Sequence, residues 1–151
     1  MAKIVENCMF IGEYVFTIDE KKRVSIPVKF RKELGKKAVI TRGLDNCLVL
    51  YPLKVWEKVA KKLESLPLSK PDARAFARIL LSGAVNVELD KLGRILIPDY
   101  LKEFAQLKKN VVLLGLSNRI EIWAKELWQE YKQKREKEIE NMAEKLEELG
   151  I

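Results

Sequence analysis

The alternation of apolar and polar residues along this chain occurs in the same form twice. Residues 10–18 are rich in β-branched and aromatic side chains, a charged stretch follows, and residues 24–26 continue the apolar pattern. A second apolar stretch is likewise interrupted by polar residues and resumes at residues 95–97. Each arrangement predicts two β-strands joined by a tight turn. A proline then opens a short predicted helix in each case, at Pro27 and at Pro98.

The two stretches match residue by residue. Residues 18–27 and 89–98 each contain Asp-x-x-x-Arg followed by apolar-x-apolar-Pro, at an offset of 71 positions. With one inserted residue the match continues through four later pairs, which are Gly43 and Gly115, Asn46 and Asn118, Tyr51 and Trp123, and Trp56 and Trp128. A unit of roughly 40 residues buries little apolar surface alone. We therefore expect the two copies to share one core as a fused pseudo-dimer.

The remaining pattern assigns the other elements. Short helices are predicted at residues 28–34 and 99–106, and buried strands at 39–41, 47–51, 111–114 and 120–123. Gly and Asn in the turns at 43–46 and 115–118 are residue types that tolerate positive φ. A closing helix is predicted from about Pro52 to a point before Pro67. A further helix at 72–81 is expected to turn Phe76, Ile79 and Leu80 inward.

These elements predict an α+β fold that is mainly β, with flanking helices. The predicted organisation is an N-terminal extension at residues 1–8 and one compact domain at 9–151, with pseudo-repeats at about 9–64 and 83–124, a linker and helix at 65–82, and a C-terminal helix at 125–148. The extension can also reflect an earlier start codon. The lower half of the last helix is either solvated against the body or in contact with a neighbouring subunit.

Charge is unevenly distributed along the chain. The 151 residues include 29 Lys and Arg against 22 Asp and Glu, a net charge of +7. Residues 1–124 hold 23 basic and 14 acidic side chains and sum to +9, whereas residues 125–151 sum to −2. A basic body favours a polyanionic partner, with nucleic acid ahead of a membrane. The alternative is that the extra Lys and Glu residues are only the solvated surface of a thermally robust protein.

The chain lacks the residues that several classes of function require. The chain has no His, and Cys8 and Cys47 stand 39 positions apart without a CxxC pair, so we expect reduced thiols, no metal site and no cofactor. No Ser or Cys stands in a nucleophile context and no Gly-rich phosphate loop occurs, which argues against an enzyme with a small-molecule substrate. No stretch of about 18 apolar residues or signal peptide is found, which predicts a cytoplasmic protein without membrane association.

The repeated turn carries the candidate chemistry. Asp19 and Asp90 begin turns in which a carboxylate can accept hydrogen bonds from backbone amides two or three residues later, which stiffens the loop. The basic residues that follow are Lys21, Lys22 and Arg23 in the first copy and Lys91 and Arg94 in the second. A guanidinium donates two parallel hydrogen bonds to phosphate or to a guanine edge. The alternative is a local Asp–Arg salt bridge that only locks the hairpin. Repetition of the motif on a basic body favours nucleic-acid recognition.

The paired Asp-x-x-x-Arg turns, within tandem units of this length, resemble the MraZ family of bacterial transcriptional regulators of the division and cell wall gene cluster. The resemblance covers about residues 9–148, and Met9-Phe10-Ile11-Gly12 is similar to the usual opening of the family. It implies a double-split β-α-β, swapped-hairpin barrel of the AbrB class. It also implies a ring-shaped homo-oligomer, association with the nucleoid, and binding to direct repeats in double-stranded promoter DNA.

Carried onto this sequence, the resemblance identifies the motif residues Asp19, Arg23, Asp90 and Arg94. Candidate DNA contacts that follow only from proximity are Lys21, Lys22, Lys91 and Arg31. The family often has Gly before the motif Arg, as Gly93 here, whereas the first copy has Lys22. A positive φ at Lys22 costs about 1 kcal/mol, so we expect the two turns to differ in shape. Whether both turns contact DNA equally stays open at this stage.

Two alternatives stay open at this stage. One is a ring that binds RNA or acts as a protein scaffold, with the turns holding RNA backbone or acidic partners. Single-strand binding needs exposed aromatic residues, but most aromatic residues here fall at positions expected to be core. The other is an antitoxin-like regulator of the AbrB class, which requires a cotranscribed toxin.

Overall fold

A computed structural model of the protein describes residues 9–150, and the predicted extension at residues 1–8 lies outside the described residues. Within the described residues the strands are β1 Phe10–Thr17, β2 Arg23–Ser25, β3 Lys37–Arg42, β4 Leu48–Pro52, β5 Val85–Glu88, β6 Arg94–Leu96, β7 Asn110–Ser117 and β8 Ile120–Ala124. The helices are α1 Val28–Leu34, α2 Leu53–Glu64, α3 Pro71–Gly83, α4 Asp99–Phe104, α5 Lys125–Glu136 and α6 Ile139–Lys145, followed by a 3₁₀ turn at Glu147–Leu149.

Strands are exchanged between the two copies. β1 pairs with β7 of the second copy, and its counterpart β5 pairs with β3 of the first. The larger sheet has the order β1-β7-β8-β4-β3-β5, while β2 and β6 form a separate ribbon. The α+β class, the tandem repeat and the swapped hairpins are confirmed. The described strands lie in these two sheets and do not close into one hydrogen-bonded barrel.

Two of the strand pairings mark a pseudo-twofold axis. In the β2–β6 ribbon, Val24 lies opposite Ile95, its equivalent 71 positions later. In the large sheet, Val49 of β4 lies opposite Glu121 of β8, its equivalent 72 positions later. An antiparallel strand places a residue opposite its own equivalent where a twofold axis passes between them. The two copies are therefore related as the subunits of a twofold dimer are.

One apolar core serves both copies, as the repeat predicted. It lies between the large sheet and the β2–β6 ribbon, and its buried side chains come from both halves of the chain, among them Phe10, Ile26, Phe30, Leu50, Ile95, Ile97, Leu101 and Leu113. The Phe30 ring meets the rings of Phe10 and Tyr14 edge-on, at 5.2 Å between centroids in both pairs. Such aromatic pairs add about 0.5–1.5 kcal/mol beyond the area that they bury. This core holds the ribbon, and with it both motif turns, on the sheet.

The outward face of the sheet is covered by the closing helices. In the second copy, Trp128 and Tyr131 of α5 pack on Trp123 of β8, with ring centroids 5.2 and 5.0 Å away. In the first copy, Trp56 of α2 packs on Tyr51 of β4 at 5.7 Å. Trp123 belongs to a small buried cluster with Cys47, Val112 and Leu114. This cluster is separate from the central core.

The prediction that Phe76 and Ile79 point inward is wrong. Their side chains on α3 are 41% and 51% exposed, and only Leu80 is half-buried. The end of α3 is held on the body by hydrogen bonds to its backbone: Thr41 Oγ1 donates to the Leu80 carbonyl at 2.7 Å, and Arg42 Nη1 donates to the Ile79 carbonyl at 3.0 Å. These polar contacts set the rotation of the helix and leave part of its apolar stripe outside.

The turns that follow β3 and β7 agree with expectation at Asn46 but not at the glycines. Positive φ falls on Asp45, Asn46 and Ser117, and not on the glycine of either turn. Gly115 is needed for another reason, because a Cβ at this position would lie 2.5 Å from the backbone nitrogen of Ile11. The close approach of β1 to β7 therefore excludes a side chain there.

The single C-terminal helix predicted at 125–148 is divided in the structure. α5 ends at Glu136 and α6 begins at Ile139. The Glu138 amide donates to the Arg135 carbonyl at 3.0 Å, a bond that spans three residues and tightens the end of α5. α6 has no buried residue. Because no core contact supports it, packing does not hold the two segments in one continuous helix.

Candidate nucleic-acid interface

The first motif turn is closed by its own aspartate. Asp19 Oδ1 accepts hydrogen bonds from the backbone amides of Lys21 and Arg23, both at 2.9 Å. Its Oδ2 accepts a hydrogen bond from Nε of Arg23 at 2.8 Å. The amide of Lys22 donates to the Asp19 carbonyl at 3.0 Å, and the Asp19 amide donates to the Arg23 carbonyl at 3.0 Å. One carboxylate therefore fixes both the backbone of the turn and the direction of the arginine.

The second motif turn repeats these hydrogen bonds. Asp90 Oδ1 accepts bonds from the amides of Leu92 and Arg94 at 2.9 Å, and its Oδ2 accepts a bond from Arg94 Nε at 2.8 Å. Gly93 has φ +75° and Lys22 has φ +63°. The expectation that the two turns differ in shape is wrong, because the network holds Lys22 in the left-handed region at a cost of about 1 kcal/mol.

The two copies exchange hydrogen bonds at these turns. The Ile26 amide donates to the Gly93 carbonyl at 2.9 Å, and the Ile97 amide donates to the Lys22 carbonyl at 2.8 Å. These two bonds are equivalent under the pseudo-twofold axis and flank the β2–β6 ribbon. Each turn is thereby fixed to the strand that follows the other turn, so both turns form one rigid unit.

Each motif arginine is ordered by its aspartate while remaining accessible. The side chains of Arg23 and Arg94 are 29% and 25% exposed. The hydrogen bond to the aspartate uses Nε, and it leaves the terminal nitrogens Nη1 and Nη2 outside that bond. Nη1 of Arg94 also lies 4.0 Å from Asp19 Oδ2, which links the two turns. Prior ordering of a side chain saves about 0.5–1.5 kcal/mol of entropy loss when a ligand binds.

Hydrogen bonding lowers the pKa of both aspartates below the ordinary value. For Asp19 the main cause is the bond from the Arg23 amide, and for Asp90 it is the bond from the Arg94 amide, with desolvation opposing the shift in each case. Both carboxylates are therefore charged at neutral pH. Residues 19–23 and 90–94 each sum to a charge of +1, so each turn presents an oriented guanidinium more than a large local charge.

The predicted lysines differ in their surroundings. Lys21 and Lys91 are exposed near the tips of the two turns. Lys22 is half-buried, and its Nζ lies 2.5 Å from Oδ1 of Asp99 at the start of α4. A phosphate near Lys22 would have to compete with this carboxylate, whereas Lys21 and Lys91 are open to solvent.

Arg31 on α1 lies against the turn of the other copy. Its Nε donates to the Ile26 carbonyl at 2.8 Å. A Cβ on Gly93 would lie only 2.2 Å from that Nε, so the guanidinium packs directly on the glycine. Arg31, Lys91 and Lys36 line one cleft beside the second turn. The structure thus places Arg31 next to the second motif turn, at residues 90–94. Arg31 itself follows the first turn, which lies 71 positions earlier in the chain.

Sequence reasoning missed three residues of this surface. Lys36 lines the cleft with Arg31, and Asp99 pairs with Lys22. The ion pairs of Lys36 with Glu88, at 3.8 Å, and of Lys22 with Asp99 both cross between the copies, so no local pattern reveals them. Leu92 is 63% exposed and occupies the position that Lys21 has in the first turn. Aligning the two copies could have identified Leu92 as the apolar equivalent of a basic tip residue.

Other kinds of site are not seen in the part of the chain that the structure describes. Residues 9–150 contain no cluster of side chains arranged to hold a metal ion. Over the same residues, no helix has both the length and the apolar character that crossing a membrane requires. Cys47 is buried, and burial is the main cause that raises the pKa of its thiol.

Several known proteins similar to this chain share one name. A family model described as "MraZ protein, putative antitoxin-like" matches residues 9–79 and again residues 80–149. A protein of Caldanaerobacter subterraneus subsp. tengcongensis named Transcriptional regulator MraZ is 52% identical over 143 residues, which are 95% of this chain and 100% of the relative. Proteins of the same name from Thermoanaerobacter sp. strain X514 and Natranaerobius thermophilus are 53% and 50% identical over the same shares. Each of the two matched ranges contains one Asp-x-x-x-Arg motif.

Proposed function

Because this chain belongs to the MraZ family of transcriptional regulators, we propose that it regulates transcription by binding duplex DNA through its two motif turns. The relatives are named as regulators and not as enzymes, in agreement with the sequence prediction. The proposed DNA site consists of direct repeats in the promoter of the division and cell wall gene cluster. The proposed active form is a ring-shaped homo-oligomer in the cytoplasm, associated with the nucleoid.

The observation that supports this proposal is the identical bracing of Arg23 and Arg94 on one rigid unit. The bonds to Asp19 Oδ1, together with the amide–carbonyl bonds of the turn, already close the backbone. The additional bond from Arg Nε to Oδ2 is not needed for that closure, and it orients the side chain. A guanidinium held by Nε can still donate from its terminal nitrogens to a phosphate or to O6 and N7 of guanine.

Self-association supplies the strength that one pair of turns lacks. Each turn carries a net charge of only +1, so a single chain makes few strong phosphate contacts. When several chains are joined, binding to successive DNA repeats becomes intramolecular, and avidity can exceed the affinity of one site by about 10²–10⁴. Direct repeats are therefore the DNA arrangement that suits an oligomer whose single subunits bind DNA weakly.

The test begins with selection of bound sequences from random duplexes, followed by footprinting, which gives the DNA box and the repeat period. Titration of the selected duplex then compares wild type with Arg23→Ala, Arg94→Ala and the double variant. A good bidentate arginine contact contributes about 1–3 kcal/mol, so each single variant is expected to bind about 10- to 100-fold more weakly. Arg23→Lys keeps the charge but loses the fork, and is expected to recover only part of the loss.

Lys134→Ala serves as the matched control, because it removes an exposed charge on α5, outside both turns. It is expected to bind as wild type does. Thermal melts establish that all variants are folded. Affinity should also fall steeply with salt, with a slope of about −0.9 per phosphate neutralised. A folded double variant with unchanged affinity, or a flat salt response, would show that the turns do not bind DNA.

Single-stranded RNA is a less suitable ligand for this surface. Neither residues 19–23 nor residues 90–94 include an aromatic side chain on which a base can stack. Phe76 and Tyr100 are 41% exposed, but they lie on α3 and α4, and the Tyr100 hydroxyl donates to the Gly83 carbonyl at 2.9 Å. Competition between repeat-containing duplex DNA and structured RNA distinguishes the two ligands.

A further inference from the structure

We propose that the acidic C-terminal segment, residues 138–150, of one molecule docks into a basic apolar groove between α2 and α3 of a second copy. The segment comprises α6 and the 3₁₀ turn. The inference specifies the contact surfaces of the self-association proposed above, and it rests on that part of the proposed function. Both surfaces expose apolar side chains, and their charges are opposite.

The groove lies on the outward side of the first copy, where α2 and α3 leave a cavity of about 370 Å³ over β3 and β4. At its mouth, Leu44 is 67% exposed and Phe76 is 41% exposed. Ile79, on the same helix as Phe76, is 51% exposed. The apolar lining consists of Leu44, Val49, Tyr51, Val59, Leu63, Phe76 and Leu80. This is the apolar stripe that the sequence predicted to be inward, and a second molecule seated on it would bury it.

Basic residues surround the groove. Arg42, Lys62 and Arg119 contribute to its lining, together with Glu121, which pairs with Arg119 at 3.7 Å. Residues 53–83, which include both helices, contain seven basic and three acidic side chains, a net charge of +4. An apolar groove inside a basic rim favours an occupant that is apolar on one side and acidic on the other.

The C-terminal segment has those properties. Ile139, Leu146 and Leu149 are 63%, 42% and 73% exposed, and with Met142 they recur at intervals of three and four residues. In a continuous helix this spacing places all four along one stripe. Residues 138–150 contain five Glu and one Lys, a net charge of −4 that is opposite to the charge of the groove. Amphipathic helices commonly bind in apolar grooves through such a stripe.

Comparison of the two copies explains why this segment does not pack on the body of its own chain. α5 is equivalent to α2, and α6 follows α5 as α3 follows α2. α3 is attached to the body by the side chains of Thr41 and Arg42. β1 pairs with β7 as β5 pairs with β3, so the equivalents of Thr41 and Arg42 are Leu114 and Gly115, 73 positions later. Neither residue has a side-chain donor. The second copy therefore lacks the bonds that hold α3, and its C-terminal stripe stays exposed.

Charge reversal in the full-length chain tests the contact. A groove variant carries Lys62→Glu in the groove lining and Lys58→Glu one helical turn before it on α2. A tail variant carries Glu140→Lys and Glu144→Lys on α6. All four residues are exposed, so both variants are expected to fold. Light scattering without DNA should show loss of assembly for each variant alone, toward the 17.5 kDa monomer. An equimolar mixture should regain the wild-type mass, because each reversed surface meets its reversed partner.

A control variant, Lys108→Glu with Lys109→Glu, reverses two exposed charges elsewhere and should keep the wild-type mass. If the groove and tail variants also keep that mass, the docking contact is wrong while self-association itself stands. If both become monomeric and their mixture does not reassemble, the two surfaces do not contact each other, and the inference is likewise overturned. A wild-type protein that is monomeric at every concentration would refute the proposed self-association as well.

Discussion

Replacing Gly93 by Ala is expected to destabilise the fold much more than replacing Lys22 by Ala, although both residues occupy the same position in equivalent turns. Both have left-handed backbone, with φ +75° and +63°. Lys22 already bears the strain of a Cβ there, so Ala removes only its exposed ion pair with Asp99. At Gly93 a new Cβ would lie 2.2 Å from Nε and 2.3 Å from Cζ of Arg31.

The expected magnitudes follow from these contacts. A side chain in the left-handed region costs about 1–2 kcal/mol. Arg31 must also move away and lose its hydrogen bond to the Ile26 carbonyl, which costs about 1 kcal/mol. Gly93→Ala should therefore lower the free energy of unfolding by about 2–3 kcal/mol, and Lys22→Ala by less than about 1 kcal/mol, because an exposed ion pair contributes little. In an Arg31→Ala background, Gly93→Ala should cost only the backbone strain.

Urea denaturation measures these differences, with all variants at one protein concentration because self-association shifts apparent stability. The four proteins of the Gly93 and Arg31 cycle give the coupling between the two residues directly. Equal losses for Gly93→Ala and Lys22→Ala would refute the argument from backbone strain. An identical loss with and without Arg31 would refute the contact between the guanidinium and the glycine.

Two further predictions concern titratable groups. Because hydrogen bonding lowers the pKa of Asp19 and Asp90 in the folded state, their contribution to stability is present above the unfolded pKa, about 3.9, and is lost as pH falls through the lower folded pKa. Between pH 6 and 2 the free energy of unfolding should fall less steeply for the double Asn variant than for wild type, and equal slopes would contradict this. Cys47, whose thiol pKa is raised mainly by burial, should resist alkylation at neutral pH in a folded Cys8→Ser variant and react once urea unfolds it. Rapid labelling of the native variant would disprove that protection.

Local elements could be predicted from the sequence because their signals are local. The helix predicted at 28–34 coincides with α1, whose start is marked by Pro27. β1 and β2 were indicated by short apolar runs on either side of a charged turn. The motif turns were recognisable because Asp, Arg and the residues between them lie within one hydrogen-bonded loop. In the motif turns the hydrogen bonds from the aspartate span four residues or fewer.

Predictions that depended on packing were less successful. The inward direction of Phe76 was inferred from helical spacing, but contacts from Thr41 and Arg42 rotate α3 otherwise. The positive φ of Lys22 disagrees with its intrinsic preference, and it persists because the surrounding hydrogen bonds outweigh a strain of about 1 kcal/mol. The position of Arg31 against Gly93 could not be predicted from spacing, since it joins the two copies across the ribbon.

The sequence by itself determined the repeat, the order of strands and helices, and the composition of the two Asp-x-x-x-Arg turns, because periodicity and turn chemistry are encoded by near neighbours. Only the tertiary structure decided the register of β1 and β5 on the opposite copy, the hydrogen bonds that join the two turns, and the exposure of Phe76 and Ile79 on α3 and of Ile139 on α6. These features depend on contacts between residues far apart in the chain. Such contacts arise from how whole elements pack around the shared core, and short-range sequence patterns do not determine that packing.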